Sequence, residues 1–430
     1  MRSLSAGSLV AFMVLAEGGA GGARAHRARG CQGAHWVTAW TASSATGASH
    51  DFGGQTLREV VSPHFAGQAI RIRLSNQFGR QPVVFDQASV ARRDAGPSLV
   101  PGTIRRLTFR GRGGVSIPAG RAVYSDPVRL RIAPFSDVAV SLYAAGATGS
   151  TTEHPIAVQT SYAAPGNHVS EAAGGAFSHE RTAWDFVARI EVLASGQART
   201  VVALGDSITD GAESTPDRDR RWPDELARLL QSSRSLSRFA VANAGITGNR
   251  VLHDTGIYGP SALRRLAGDV LSQPGLGAVI LFEGINDIGS AAQRADHTQV
   301  GAAAIVAGYE TIIRRVHAAG AKVFIGTLTP AGDGTAPAAF GPDYSSPAGV
   351  AKRELVNRWI RRGRGFDGVI DFDRAIRDPG APNHIRAAYN SGDNLHPNDA
   401  GYRALAKAVS PRLLRAVARG AARCRPSPAA

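Results

Sequence analysis

Short segments in which apolar and polar residues alternate occupy the chain from about residue 35 to residue 195. A period of two is typical of a β-strand with one buried face. The segments are 69–74, 128–132, 184–192 and, with a weaker alternation, 138–143. Gly- and Pro-rich turns separate them, and residues 144–176 are predicted to be long surface loops because Gly, Ala, Ser and Thr dominate there. Many short strands with such turns predict an antiparallel β-sandwich.

The pattern changes after residue 197, where continuous apolar runs alternate with helical segments. The predicted strands are 200–204, 239–242, 278–282, 322–326 and 368–372, and the predicted helices are 222–230, 261–271, 298–318, 347–361 and 398–414. Alternation of this kind predicts an α/β domain, over residues 198–420, with a parallel sheet covered on both faces. Active sites in such sheets lie beyond the carboxyl ends of the strands.

Three of the predicted strands end in residues that can stabilise a developing negative charge. Ser207 follows the first strand, Gly245 the second and Asn286 the third. A serine at a strand end has an exposed hydroxyl, a glycine N–H can approach a ligand closely, and an Asn amide can donate to an oxyanion. Taken singly, the serine and the glycine are more typical of an ordinary turn, and Asn-Asp commonly forms an Asx-turn.

Beyond the fifth strand, Asp393 and His396 are three residues apart on one predicted tight loop, and Pro397 follows. Asp393 can accept a hydrogen bond from the Nδ1–H of His396, which leaves Nε2 free to take a proton from a serine. Most of the twelve histidines have no comparable neighbours.

The order Ser, Gly, Asn and Asp-x-x-His over residues 200–414 resembles the GDSL or SGNH hydrolase family. The resemblance implies a flavodoxin-like three-layer fold with strand order 2-1-3-4-5. It implies that Ser207 is the nucleophile, that His396 is the general base and acid, and that Asp393 orients His396. The implied oxyanion donors are the N–H groups of Ser207 and Gly245 and the side chain of Asn286. Other polar residues of the matching blocks are expected to support the site or its turns, namely Asp206, Asp210, Asn249 and Asp287.

The amino-terminal half is similar to a β-sandwich that precedes the catalytic part of some bacterial members, which are aryl- or acylesterases associated with polysaccharide breakdown. The similarity rests on residues 35–40 and 74–79. Two roles stay open for this half: it could bind carbohydrate, or it could be a structural domain that forms one side of the active-site cleft. The expected substrate is an acylated small molecule or polysaccharide. Two other functions stay open, polysaccharide or peptidoglycan O-acetyl transfer and carbohydrate binding without catalysis.

The amino terminus predicts export to the periplasm or the medium. Arg2, the apolar run 9–16 and the small residues around Arg24 form the pattern of a signal peptide over residues 1–25. Cys31 and Cys424 lie near the two ends of the exported chain, where they would either pair or stay as two thiols. The run 9–16 is too short to span a bilayer, and no later segment is long and apolar enough.

The formal net charge of +15 raises the question of an anionic partner. Of the 49 basic residues only three are lysines, and the arginines are scattered without a run longer than two. Since no basic stripe and no nucleic-acid motif is present, a nucleic-acid role is not expected. No metal-ligand spacing is present either, and the predicted reaction needs no metal or cofactor. The oligomeric state stays open.

Overall fold

A computed structural model describes residues 33–194, 196–289, 300–332 and 342–420. The predicted signal peptide and both cysteines lie outside the described residues, so these expectations stay predictions. None of the helices within the described ranges is long and apolar enough to cross a membrane.

Antiparallel strands make up the amino-terminal part. They are β1 (His35–Thr41), β2 (Thr46–Ala48), β3 (Gln55–Val61), β4 (Gly67–Ser75), β5 (Val83–Phe85), β6 (Gln87–Arg92), β7 (Arg105–Arg106), β8 (Val115–Ile117), β9 (Ala122–Tyr124), β10 (Val128–Ile132), β11 (Val138–Ala144), β12 (Thr151–His154), β13 (Ser161–Pro165), β14 (His179–Arg181), β15 (Trp184–Asp185) and β16 (Val187–Ala194). The two main sheets have the orders β1-β16-β4-β10, with β9 beside β4, and β14-β13-β3-β11-β6-β7. A small sheet, β15-β12-β2, and the pair β5-β8 complete this part.

The two main sheets share one apolar core, as the alternating pattern predicts. In β10, Leu130 and Ile132 are buried while Arg129 and Arg131 are exposed. The core draws its side chains from both sheets, including Ile72 of β4 and Val140 of β11 together with Leu130. The antiparallel amino-terminal architecture predicted from the sequence is confirmed.

Two predictions for this part are wrong in detail. The expected strand 184–192 is broken at Phe186, which has a left-handed φ of 61°. The stretch 144–176 is not only surface loop, because it contains β12, whose four residues are all buried, and β13. Small and polar residues conceal these strands in the sequence, since their burial depends on contacts with distant segments.

The carboxyl-terminal part alternates strands with helices. Its elements are β17 (Arg199–Gly205), α1 (Ser207–Asp210), α2 (Trp222–Gln231), β18 (Phe239–Gly245), α3 (Ala262–Arg265), β19 (Leu276–Phe282), α4 (Ile285–Gly289), α5 (Ala302–Ala318), β20 (Lys322–Gly326), α6 (Pro347–Arg362), β21 (Gly368–Ile370), α7 (Phe372–Ile376), α8 (Asp399–Ala408) and α9 (Pro411–Gly420). A π-helix, Leu266–Leu271, continues α3, and 3-10 turns occur at Pro342–Tyr344 and Ala387–Tyr389.

All strand pairs in this part are parallel, in the order β18-β17-β19-β20-β21. Successive residues of β17 face opposite sides of the sheet, since Val201 packs in the cluster that contains Trp222 of α2, while Val202 packs in the cluster that contains Ile312 of α5. Helices therefore cover both faces, and the predicted three-layer fold with strand order 2-1-3-4-5 is confirmed.

The helix predictions differ from the structure mainly at turns. The segment 261–271 turns from α-helix to π-helix at Leu266, and the segment 398–414 is two helices separated before Pro411. Proline has no N–H to donate and disfavours the helical conformation in the residue before it, so α9 begins at Pro411. The fifth strand ends at Ile370 because Asp371 caps α7 by accepting a hydrogen bond from the Arg374 N–H.

The two parts are in direct contact along the edge strand β18. The Thr38 N–H of β1 donates to Thr200 Oγ1 of the neighbouring strand β17 at 3.1 Å, and the Thr38 hydroxyl donates to Gln273 Oε1. Ala240 of β18 packs in the core of the amino-terminal sheets. The amino-terminal part thus covers an edge of the parallel sheet. The exact domain limits, 35–195 and 198–420, stay a prediction.

Candidate active site

Ser207 is the first residue of the short helix α1, directly after the central strand β17. Asp206 caps this helix, because its Oδ1 accepts from the Ile208 N–H at 3.0 Å. Burial raises the pKa of Asp206 to about 7, against the opposing effect of the Ile208 hydrogen bond. The turn therefore fixes the Ser207 hydroxyl at the carboxyl edge of the sheet, where only 4% of the residue is exposed.

His396 and Asp393 lie on one tight turn that reaches the same edge. His396 Nε2 is 2.8 Å from Ser207 Oγ, and His396 Nδ1 is 2.6 Å from Asp393 Oδ2. The other carboxylate oxygen, Oδ1, accepts from the N–H groups of Leu395 and His396. Because an ionised carboxylate only accepts, Nδ1 carries the proton and Nε2 accepts from the serine hydroxyl.

The electrostatics of the turn favour an ionised Asp393. Burial alone would raise the pKa of Asp393, but the hydrogen bond and the charge of the His396 ring, with the two backbone donors, lower it to about 2. Asp393 is therefore negatively charged at neutral pH and can stabilise an imidazolium at His396.

Asn286 is the second residue of α4, which follows the third strand of the sheet, β19. Both the nitrogen and the oxygen of its side-chain amide are hydrogen-bonded. Its Nδ2 donates to the Asn249 carbonyl at 2.9 Å, and its Oδ1 accepts from the Tyr344 hydroxyl at 2.6 Å. The Tyr344 contact fixes the amide orientation, because a hydroxyl proton that faces Oδ1 places the NH₂ group on the opposite side. The sequence did not indicate Tyr344, which lies 58 positions away from Asn286.

The expectation for Gly245 as an oxyanion donor is not met. Its single N–H donates to Asn243 Oδ1 at 2.9 Å. A Cβ built at Gly245 would lie 2.3 Å from the Asp210 nitrogen, so this position requires glycine for close packing under α1. Gly245 therefore lets the loop approach α1, but its backbone N–H is already bonded to Asn243.

Gly248, in the same loop, differs from Gly245 in the hydrogen bonding of its backbone N–H. Within the described part of the chain, no residue accepts from the Gly248 N–H or from the Ser207 N–H. Thr247, its neighbour on one side, bonds Asp210 of α1, and Asn249, on the other side, bonds Asn286. Gly248 thus lies between the helix of Ser207 and the amide of Asn286, and its φ of 74° suits glycine. The sequence contained both glycines, and only the hydrogen bonds distinguish them.

Arg265 fixes the strand ends beneath this loop. Its guanidinium donates to the carbonyls of Gly205 at 3.0 Å and Ala244 at 2.7 Å, and its Nε–H donates to Asn249 Oδ1 at 2.9 Å. The side chain is buried. One rigid, charged fork therefore holds the ends of β17 and β18 and the loop that follows β18.

No group of three or more His, Cys, Asp or Glu side chains with metal-binding geometry occurs within the described ranges. The residues that converge at the carboxyl edge of the sheet are instead a hydroxyl, an imidazole, a carboxylate and amide donors. A parallel three-layer fold with this set at its edge defines the class of protein, a carboxylic ester hydrolase.

Comparison with known families supports this class. Residues 203–404, just under half of the chain, match the model of the GDSL-like Lipase/Acylhydrolase family. The predicted resemblance and the predicted enzyme class are confirmed. A search of curated proteins found no match.

Solved structures with similar folds cover about half of the chain. An aryl esterase from M. smegmatis is 19% identical, with a TM-score of 0.39, over 52% of this chain and 99% of that one. A carbohydrate acetylesterase family member from Sinorhizobium meliloti is 20% identical, with a TM-score of 0.39, over 51% and 99%. A GDSL-like lipase from Bacteroides thetaiotaomicron is 16% identical, with a TM-score of 0.36, over 51% and 89%.

Proposed function

We propose that the protein hydrolyses acetyl, short acyl or aryl esters by nucleophilic attack of Ser207, with His396 and Asp393 as the acid/base pair. The observation that carries this proposal is the unbroken chain of two hydrogen bonds, 2.8 Å from Ser207 Oγ to His396 Nε2 and 2.6 Å from His396 Nδ1 to Asp393 Oδ2. The burial of Ser207 and His396 also supports it, since water competes little for these bonds.

The reaction proceeds in two balanced steps. Ser207 Oγ attacks the acyl carbon while His396 Nε2 takes the hydroxyl proton, and the same proton then passes to the leaving alcohol as its ester bond breaks. A water molecule attacks the resulting acyl-enzyme and gives a proton to His396. That proton returns to Ser207 Oγ when the carboxylic acid leaves. Asp393 keeps its charge throughout and stabilises the imidazolium.

Three donors would stabilise the negative charge on the tetrahedral oxygen. They are the backbone N–H groups of Ser207 and Gly248 and the side-chain NH₂ of Asn286, with Gly248 in place of Gly245. Fixed donors need no rearrangement as the charge develops, and the loss of one donor typically costs about 3–4 kcal/mol in the transition state. The contacts of Asn286 with Asn249 and Tyr344 support such fixation.

The alcohol part of the ester is proposed to belong to a carbohydrate, on the similarity of the amino-terminal half to that of bacterial acylesterases. A screen of acetylated xylan, aryl acetates and longer acyl esters tests this narrower proposal. Release of free acid with water, rather than transfer to an added sugar acceptor, separates hydrolysis from O-acetyl transfer. Export is proposed on the signal-peptide pattern of residues 1–25. Recovery from the medium of a chain from which the cell has cleaved these residues would support it.

The decisive experiment compares Ser207→Ala with Ser232→Ala, a matched change of an exposed serine directly after the carboxyl end of α2. Wild type and Ser232→Ala should react with a fluorophosphonate probe and hydrolyse a short chromogenic acyl ester. Ser207→Ala should do neither while keeping its circular dichroism spectrum. Full hydrolysis by Ser207→Ala would overturn the proposal.

A further inference from the structure

His154 belongs to the amino-terminal part, at the end of β12, and only 3% of the residue is exposed. Both of its ring nitrogens face oxygen acceptors. Nδ1 is 2.8 Å from the Ser43 carbonyl oxygen, and Nε2 is 3.0 Å from Asp210 Oδ1 of the carboxyl-terminal part. Since neither a carbonyl nor an ionised carboxylate has a proton to give, both ring nitrogens carry one, and His154 is an imidazolium paired with Asp210.

The charge of the surroundings is consistent with this protonation state. Burial by itself lowers the pKa of His154, but the charge and hydrogen bond of Asp210 and the hydrogen bond to Ser43 outweigh it and raise the pKa. Arg221 opposes them with its positive charge. The pair is buried on both sides, with 4% exposure of each side chain.

Asp210 uses its second oxygen to hold the loop that follows β18. Asp210 Oδ2 accepts from the Thr247 N–H at 2.9 Å and from the Thr247 hydroxyl at 2.8 Å. Asp210 is also the last residue of α1, the helix that begins with Ser207. One carboxylate therefore joins three segments: β12, the helix of the proposed nucleophile, and the loop of the proposed oxyanion donors.

The same loop reaches Asn286 two residues later, where the Asn249 carbonyl accepts from Asn286 Nδ2. We infer that His154 is a positioning residue for ester hydrolysis: through Asp210 and Thr247 it fixes the loop that places the Gly248 N–H and Asn286 around the reacting oxygen. This inference rests on the proposed function. It gives the amino-terminal part a role in catalysis, in addition to covering the edge of the parallel sheet.

A second histidine at this interface provides a matched comparison. His64 is also buried and also faces two acceptors, Val241 O at 2.8 Å and Asp224 Oδ1 at 2.9 Å. Asp224 belongs to the first turn of α2, and its other oxygen accepts from the Arg221 N–H. The two histidines thus resemble each other in burial and pairing, and only His154 bonds the residue that holds Thr247. Both histidines line one cavity of about 10 Å³.

The test measures kcat and KM of His154→Phe and His64→Phe on a short chromogenic ester, together with the fraction of folded enzyme. Both variants should lose thermal stability. His154→Phe should lower kcat per folded enzyme by roughly 10- to 100-fold with little change in KM, because a small displacement of positioned groups has effects of that size. His64→Phe should keep the wild-type kcat. His154→Gln, which retains one N–H donor toward Asp210, should recover part of the loss.

Thr247→Val covers the case in which His154→Phe does not fold. It removes the hydroxyl bond to Asp210 and keeps the backbone bond, so kcat should fall several-fold. Wild-type kcat in both His154→Gln and Thr247→Val would overturn the inference. An equal fall of kcat in His64→Phe and His154→Phe would also overturn it, because it would reduce His154 to a general structural role. If instead Ser207→Ala retains activity, the proposed function itself fails, whatever the histidine variants do.

Discussion

Leu395 and Ile285 lie in one buried apolar cluster, together with Ala331 and Tyr344. Leu395 directly precedes the proposed base His396, and Ile285 directly precedes the proposed oxyanion donor Asn286. The turn that carries the imidazole is thereby packed against the helix that carries the amide. Close packing of this kind restricts both side chains to fixed relative positions, which preorganised catalysis requires.

Replacement of Asp393 by Asn should lower kcat by about 10⁴-fold with little change in fold or KM. The amide is similar in size, but it offers Nδ1 of His396 a less suitable partner, and the charge that stabilises the imidazolium is lost. Steady-state kinetics on a chromogenic ester, with circular dichroism as the control for folding, measures the effect. A kcat within tenfold of wild type would contradict the role of Asp393.

Asn286→Ala should lower kcat by about 10²–10³-fold and leave KM nearly unchanged, because the donor acts chiefly on the transition state. The side chain is buried and bonds Tyr344 and Asn249, so the melting temperature must be measured alongside. Tyr344→Phe is the matched control. It removes one neutral hydrogen bond and should lower kcat only by several-fold. An unchanged turnover number in Asn286→Ala would remove this residue from the oxyanion site.

Gly245→Ala should lower the free energy of unfolding. The new methyl group would lie 2.3 Å from the Asp210 nitrogen and 2.7 Å from its Cα, both backbone atoms that cannot rotate away. Overpacking of this kind costs about 1–3 kcal/mol in the free energy of unfolding. Urea denaturation measures this loss. Wild-type stability of Gly245→Ala would contradict the packing role described for this glycine.

The stability difference between wild type and His154→Phe should depend on pH. The pKa of His154 is raised in the folded protein, so its pairing with Asp210 stabilises the fold fully below the unfolded pKa of 6.5. This contribution is lost as the pH rises through the higher, folded pKa. The difference in the free energy of unfolding should therefore be larger near pH 6 than in clearly alkaline solution. The charges of Asp210, Arg221 and Glu153 act on this ring in the wild type. Wild type and His154→Phe must therefore be compared with each other at every pH. A pH-independent difference would contradict the imidazolium assignment.

Much of the carboxyl-terminal fold followed from local sequence patterns. Runs such as 200–204 and 322–326 are apolar throughout because helices cover both faces of the sheet, and these strands lie where they were expected. The Asp-x-x-His spacing was equally informative, since both partners lie on one turn and need no distant segment to meet. Element ends were less accurate where a cap or a proline decides them, as at Asp371 and Pro411.

The sequence by itself determined the class of fold, the family resemblance and four residues of the candidate site, because each of these is encoded in periodicity or in short blocks. Only the tertiary structure decided which loop glycine keeps its N–H unengaged, since that depends on where Asn243 places its side-chain oxygen. It alone revealed the pairing of His154 with Asp210, 56 positions apart, from a segment that had been predicted to be surface loop. Hydrogen bonds between distant segments leave no local pattern, because each partner alone is an ordinary polar residue.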